Sequence, residues 1–381
     1  MDKRVPVGKL AFVSFLSQFA IVKFNFTLVY YLRELGFSSG DIGIATSIYP
    51  VVYLLGCLFL PSVAKSVNRK VRIILSLLGM ALSVVLFSLV KERWAIYLVL
   101  FLYGFWQSLL WTNMETWITT PGGENRNLTK TLTLFNLSWS SSVGLSNLIG
   151  GILVSVSYTL SFAVEAAVFL IASTLVISAY YKGDEEKTEE KTEDGDEPLS
   201  PYRFLSWLGI FIIYTGYSMV IVVFPQYGLD FLGFSSSVSG RLLFLRGVSV
   251  CIAFLILRKY TFWQKGKGAI VFMLASFTAL TYMFNMVRSE ALLSIIFVVY
   301  GFIFALGYDL SIFHSAEGGG KRHTRMVIHE VLITAGTTFG SFTGSLVYEY
   351  LSFSSLVTSV TAIGGIAFVL SLISGRKGNC R

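Results

Sequence analysis

The chain has 381 residues, 54% of them hydrophobic, 15% aromatic and only 14% charged, and its mean hydropathy is +0.68. A soluble domain carries about 25% charged residues, so this composition excludes an ordinary water-soluble protein and predicts a polytopic membrane protein. The formal net charge of +8 raises nucleic acid as a partner, but the placement of the charges argues against it, as the topology below shows.

The basic start MDKRVPVGKL leads into an apolar run too long for a cleaved signal peptide, with no small-residue cleavage site. The first span is therefore expected to remain as a helix. A bilayer core of about 30 Å needs about 20 apolar residues of helix. Twelve segments qualify: 10–32, 40–63, 71–90, 94–118, 130–155 and 159–181, then 203–226, 238–258, 268–287, 291–314, 326–347 and 354–374. The runs are long and do not alternate, and lipid cannot satisfy open backbone groups, so helices are expected rather than sheet. Between the sixth and seventh lies KGDEEKTEEKTEDGDEPLS, Lys182–Ser200, with nine acidic residues from Asp184 to Glu197. A stretch this charged and this poor in large apolar side chains cannot bury itself, so it reads as a solvated linker. Domain boundaries of 1–181, 182–201 and 202–381 follow.

The two halves repeat each other. Leu35-Gly-Phe-Ser-Ser39 recurs as Leu232-Gly-Phe-Ser-Ser236, Gly43 as Gly240, and Tyr103-Gly-Phe105 as Tyr300-Gly-Phe302, all at an offset of 197. Matches at one offset, each at the same place in its half, indicate an internal duplication. Lys and Arg set the orientation. With both termini cytoplasmic, 23 of the 30 basic residues fall in inside segments and four, Arg33, Lys91, Arg93 and Arg288, in outside loops. Lys23, Arg241 and Arg246 fall within spans. This asymmetry obeys the positive-inside rule and accounts for the net charge without nucleic acid.

Ionisable and amide side chains inside a span usually face a cavity or a partner. In the first span Ser14, Gln18 and Asn25 share a face, and Lys23 lies off that line near mid-bilayer, with Thr27 and Tyr30 on its own face. The fourth span aligns Gln107, Trp111 and Glu115 at i, i+4, i+8. The fifth places Asn136, Ser140 and Asn147 on one face. An offset of 194 maps those three onto Glu330, Thr334 and Ser341 of the eleventh, which also carries Thr337. These matched stripes read as two walls of a watered cavity, or else as inter-helix hydrogen bonding without solute. Arg246 lies about two turns into the eighth span, Asp309 in the tenth, and Glu165 in the sixth. Glu330, Asp309 and Glu115 are the candidate proton-coupling carboxylates, and Glu330 leads because its counterpart Asn136 is neutral. Gly336, Gly340 and Gly344 follow small-xxx-small spacing, which lets helix backbones approach closely.

Enzyme signatures are missing. His329-Glu330 opens like a zinc-protease motif, but no second His follows, and no phosphate loop or serine elbow appears. The cysteines Cys57, Cys251 and Cys380 form neither a disulfide framework nor a metal spacing.

Twelve spans as six plus six around a long polar linker resemble the major facilitator superfamily. That family carries G-x-L-x-D-R-x-G-R-R between its second and third helices, and here the stretch is Ala64-Lys65-Ser66-Val67-Asn68-Arg69-Lys70. The basic pair is retained as Arg69-Lys70. Asn68 stands at the family's glycine and is expected in a left-handed turn. Lys65 and Ser66 replace the acidic residue and the first arginine, so Asn68, Arg69 and Lys70 are a gate remnant or simply topology signals. Gly144-Leu-Ser-Asn-Leu-Ile-Gly-Gly151 is similar to the family's glycine-rich fifth-helix motif of antiporters, without its Gly-Pro pair.

The resemblance implies an all-α membrane protein of twelve transmembrane helices in two pseudo-symmetric six-helix bundles. It also implies helices 3, 6, 9 and 12 at the periphery, which ranks Glu165 last among the buried acids. The expected function is secondary active transport of a small solute by alternating access, residues 1–181 rocking against 202–381, in the plasma membrane. Protons are the expected coupling ion, with no cofactor, no metal and a monomeric state. Efflux of amphipathic compounds is the favoured reading, on the aromatic richness of 32 Phe and 19 Tyr; uptake or exchange of an anionic or sugar-like solute is the alternative. Lys23 and Arg246 favour the second if no carboxylate neutralises them. A non-transporting receptor and a membrane enzyme are the distant alternatives.

Overall fold

A computed structural model describes residues 7–63, 67–119, 128–179, 199–264, 266–318 and 322–373. Among them run twelve long helices: α1 Val7–Glu34, α2 Ser39–Val63, α3 Arg69–Leu89, α4 Arg93–Thr119, α5 Leu128–Val156, α6 Tyr158–Ile177, α7 Arg203–Phe231, α8 Ser236–Lys259, α9 Gly268–Met283, α10 Glu290–Ala316, α11 Arg322–Tyr350 and α12 Phe353–Ile373. No strand occurs among the described residues. Ten of the helices are long and apolar enough to cross a membrane; α9 is apolar but 16 residues long, and the polar-striped α11 is not among the ten. The acidic stretch, together with Lys65 and Ser66, lies outside the described residues.

Helix ends follow local chemistry. The expected seventh span stopped at 226, whereas α7 continues to Phe231 through a π turn at Met219–Val223. The reason is Pro225. A proline inside an α-helix lacks the N–H for the ladder and strikes the carbonyl four residues back, and a π turn just before it widens the helix. Asn68 does not take the left-handed conformation expected from its place in the motif. Its φ of −55° and ψ of 135° are those of an N-cap, and its side chain accepts from the Lys70 backbone N–H. An amide oxygen there satisfies an orphan donor of α3, which needs an extended backbone rather than a left-handed one.

Lys70 also serves a helix end. Its Nζ donates to the carbonyls of Ile177 at 2.7 Å and Ala179 at 2.8 Å, at the C-terminus of α6, where Lys9 donates to the Ser178 carbonyl. Lys267, 197 residues after Lys70, donates to the Leu372 carbonyl at the end of α12. Cations suit unsatisfied carbonyls at helix C-termini, and the duplication has kept the device in both halves.

Two compact units result. The first comprises residues 1–37, 44–187 and 234–244, and the second 38–43, 188–233 and 245–381. Within the first, α1 packs on α5 and α6, and α3 on α4 and α6; within the second, α7 packs on α11 and α10, and α9 on α10 and α12. Glycines permit the closest crossings. A Cβ on Gly340 would lie 2.3 Å from the Thr215 carbonyl oxygen, and one on Gly336 2.6 Å from that of Phe211, both on α7. Gly344 has only ordinary contacts. In the first unit Gly240 meets the Asn147 carbonyl, and in the second its repeat Gly43 meets that of Ser341. The paired offsets of 197 and 194 therefore describe real, repeated crossings.

Candidate functional site

Three basic Lys or Arg side chains are buried among the described residues: Lys23, Arg246 and Arg325. What each one meets distinguishes scaffold from site. Lys23 on α1 is fully buried, and its ammonium has three donors. They go to the Ser161 carbonyl at 2.7 Å, the Ser161 Oγ at 2.6 Å and Glu165 Oε1 at 3.0 Å. Thr27, one turn along α1, donates to the same Glu165 Oε1. Lys23 and Thr27 are spaced i, i+4, as are Ser161 and Glu165 on α6, so two adjacent turns of each helix face each other. Phe24 and Phe162, next in sequence to Lys23 and Ser161, pack ring on ring with Phe87 and Tyr103. Glu165, ranked last from the sequence, is thus fully buried and neutralises Lys23. Arg325 is likewise occupied, donating to the carbonyls of Ser315 in the last turn of α10 and Gly318 just beyond it.

Arg246 differs. It is 2% exposed, and neither Nε nor Nη1 has a hydrogen-bond partner. No carboxylate among the described residues pairs with it. Its guanidinium lies 4.2 Å over the Tyr217 ring and 4.6 Å over Phe304. Tyr214, Tyr217 and Phe304 pack together with centroids 4.9–5.7 Å apart. Each cation–π contact contributes about 0.5–2 kcal/mol. Desolvating a charged side chain costs several kcal/mol even after relaxation. The two rings offset part of that cost, and Nε and Nη1 remain buried without a hydrogen-bond partner.

The repeat shows how this position arose. Arg246 and Gly301 stand 197 residues after Tyr49 and Gly104. A Cβ on Gly104 would lie 2.5 Å from the Tyr49 carbonyl oxygen, and one on Gly301 would lie 2.5 Å from that of Arg246. The two crossings, α2 with α4 and α8 with α10, have the same geometry. In one half the crossing carries a buried tyrosine and in the other a buried arginine. Close approach at Gly301 also brings Phe304, one turn further along α10, over the guanidinium.

The other expected residues divide. On α11, Glu330 is 59% exposed, with His329 Nε2 at 4.0 Å, while His329 itself is buried and bonded through Nδ1 to Ser311. A Cβ on Gly336 would lie 3.0 Å from Tyr214 Cβ, so α11, which carries Glu330, packs against the helix that holds Tyr214. Asp309 on α10 is partly exposed and makes no hydrogen bond or ion pair with a described residue. Thr334 and Thr337 bond carbonyls of their own helix, as Asn147 does on α5; Ser140 is buried there. In the first unit Asn25 Oδ1 and Gln107 Oε1 are buried without partners, Gln18 is half-buried, and Trp111 meets Phe135 edge-on. The side chains of Glu115 and Asn136 lie outside the described residues. Sequence reasoning missed Tyr214, Tyr217 and Phe304. The 197 offset sets Arg246 against Tyr49 of the other half, but it maps the three rings onto Ser17, Ala20 and Gln107, so no sequence signal marks them.

Twelve helices in two repeated sets, with polar and charged side chains inside them, define a multi-pass membrane carrier. The family model of the Major Facilitator Superfamily matches residues 10–316, and the chain belongs to that family. It is a membrane transporter and not an enzyme. No curated protein matches the sequence significantly. Among solved structures, it is similar to the nucleoside transporter NupG, at 14% identity over 97% of this chain and 98% of that one, with a TM-score of 0.75. A bacterial homologue of the human lysosomal transporter Spinster, inward-facing and occupied, gives 13% identity, 97% and 96% coverage and a TM-score of 0.76. A POT family transporter in complex with 5-aminolevulinic acid gives 14%, 96% and 94%, and 0.71. Likeness at this identity concerns the fold.

Proposed function

We propose that this secondary transporter moves a small anionic solute, with Arg246 as the anchor for its negative charge. The observation that supports this is a buried guanidinium that meets two aromatic rings and no carboxylate. Anion binding would complete the compensation of a charge that the rings only partly offset. The same argument removes Lys23 from solute contact, because its three donors are occupied within the bundle. Tyr214, Tyr217 and Phe304 supply apolar surface beside the charge, so a solute with an amphipathic character fits better than a sugar. Glu330, on the helix facing the same aromatic cluster, is the leading proton-coupling group, with Asp309 next. Alternating access in the plasma membrane, with both termini cytoplasmic, completes the reading.

Counterflow in proteoliposomes tests it. A panel of labelled anionic and neutral solutes of similar size is exchanged against unlabelled solute. The expected result is exchange of one or more anions that drops at least tenfold in Arg246→Gln. Neutral solutes exchanging as fast as any anion, or exchange unaffected by Arg246→Gln, would overturn the assignment.

A further inference from the structure

We infer that the anion taken at Arg246 is a monocarboxylate on an apolar, ring-sized body; this rests on reading Arg246 as an anion anchor. Three observations narrow the class. The first is charge. Of the buried Lys and Arg side chains described, only Arg246 lacks both a carboxylate and a carbonyl partner. One uncompensated cation neutralises one negative charge, and a dianionic phosphate would leave a second charge buried and uncompensated.

The second is shape. Tyr217 and Phe304 cover the guanidinium at 4.2 and 4.6 Å, so binding must come to its in-plane N–H edges. Nε and Nη1 are the buried, unpartnered atoms. They lie on different edges, and each makes a fork with Nη2; either fork matches a planar carboxylate through two parallel bonds. The third is the surroundings. Tyr214, Tyr217 and Phe304 form one packed aromatic cluster against the cation. An apolar ring attached to the carboxylate would continue that packing, whereas a polyhydroxylated body would lose hydrogen bonds to water there.

The test uses the full chain purified in detergent and reads its melting temperature against benzoate, phenyl phosphate, benzamide and acetate. A ligand raises the stability of the state it binds according to its affinity. Benzoate is expected to raise Tm in a saturable way. Phenyl phosphate and acetate should need at least tenfold higher concentration for the same shift, and benzamide should give none. Arg246→Lys, which keeps the charge but loses the fork, should lose the benzoate effect at least tenfold. Phenyl phosphate matching benzoate would overturn the carboxylate class while leaving an anion anchor in place. Acetate matching benzoate would overturn the apolar body. No shift with any anion, or equal shifts with benzamide, would sink the anchor itself and this inference with it. The ranking is read on the unsubstituted chain, so it stands even where Arg246→Lys folds poorly.

Discussion

Lys23 and Arg246 are both cations near the middle of apolar helices, yet their surroundings differ: one is paired with a carboxylate and the other meets aromatic rings. Lys23 is closed by Glu165, Ser161 and Thr27, and such a pair is sensitive to the loss of one partner. Lys23→Met leaves the Glu165 carboxylate buried and uncompensated, which is expected to lower stability by about 3–5 kcal/mol. The double variant Lys23→Met/Glu165→Leu removes both charges and should recover most of that loss, since apolar replacement of a buried pair is often neutral. Unfolding of the two variants in detergent checks this. A double variant no more stable than the single would show that the pair is not the unit that matters. Glu330 is a different case, being 59% exposed and without a Lys or Arg partner among the described residues. Glu330→Gln keeps its shape and hydrogen bonding but removes its titration. The expected outcome is loss of gradient-driven accumulation with counterflow retained; retained accumulation would move coupling to Asp309 or elsewhere.

The helices themselves were readable to within a few residues because apolar length and flanking charge report directly on a span. Exceptions have local causes: the π turn before Pro225 prolongs α7, and Asn68 caps α3 where a left-handed turn was expected. The repeated crossings offer a paired test. Gly104→Ala and Gly301→Ala each put a Cβ 2.5 Å from a backbone oxygen of the neighbouring helix. Both should destabilise by about 1–3 kcal/mol through overpacking. Only Gly301→Ala should also weaken solute binding, because that crossing holds Arg246 under Phe304. Equal binding by the two variants, measured by the half-saturating concentration in counterflow, would separate Arg246 from the solute.

At the scale of the whole molecule, the acidic stretch between the halves carries no apolar surface to bury. Replacing Lys182–Ser200 with a neutral Gly/Ser chain of equal length should leave transport within about twofold. Complete loss of transport with normal membrane insertion would mean that the segment engages a specific partner.

The sequence by itself determined the membrane class, the twelve helices, the duplication and the list of side chains too polar for lipid. It did so because hydropathy, charge asymmetry and repeated motifs are properties of the chain in order. It did not determine which cation is neutralised. Glu165 lies 142 residues from Lys23, and its helix was ranked as peripheral, so nothing local signals the pair. Nor are Tyr217 and Phe304, on two other helices, visible as neighbours of Arg246. Whether a buried charge is closed or open depends on which helix faces cross, and only the tertiary structure fixed that: Gly301 lets α10 close on α8 and covers the guanidinium with rings instead of a carboxylate.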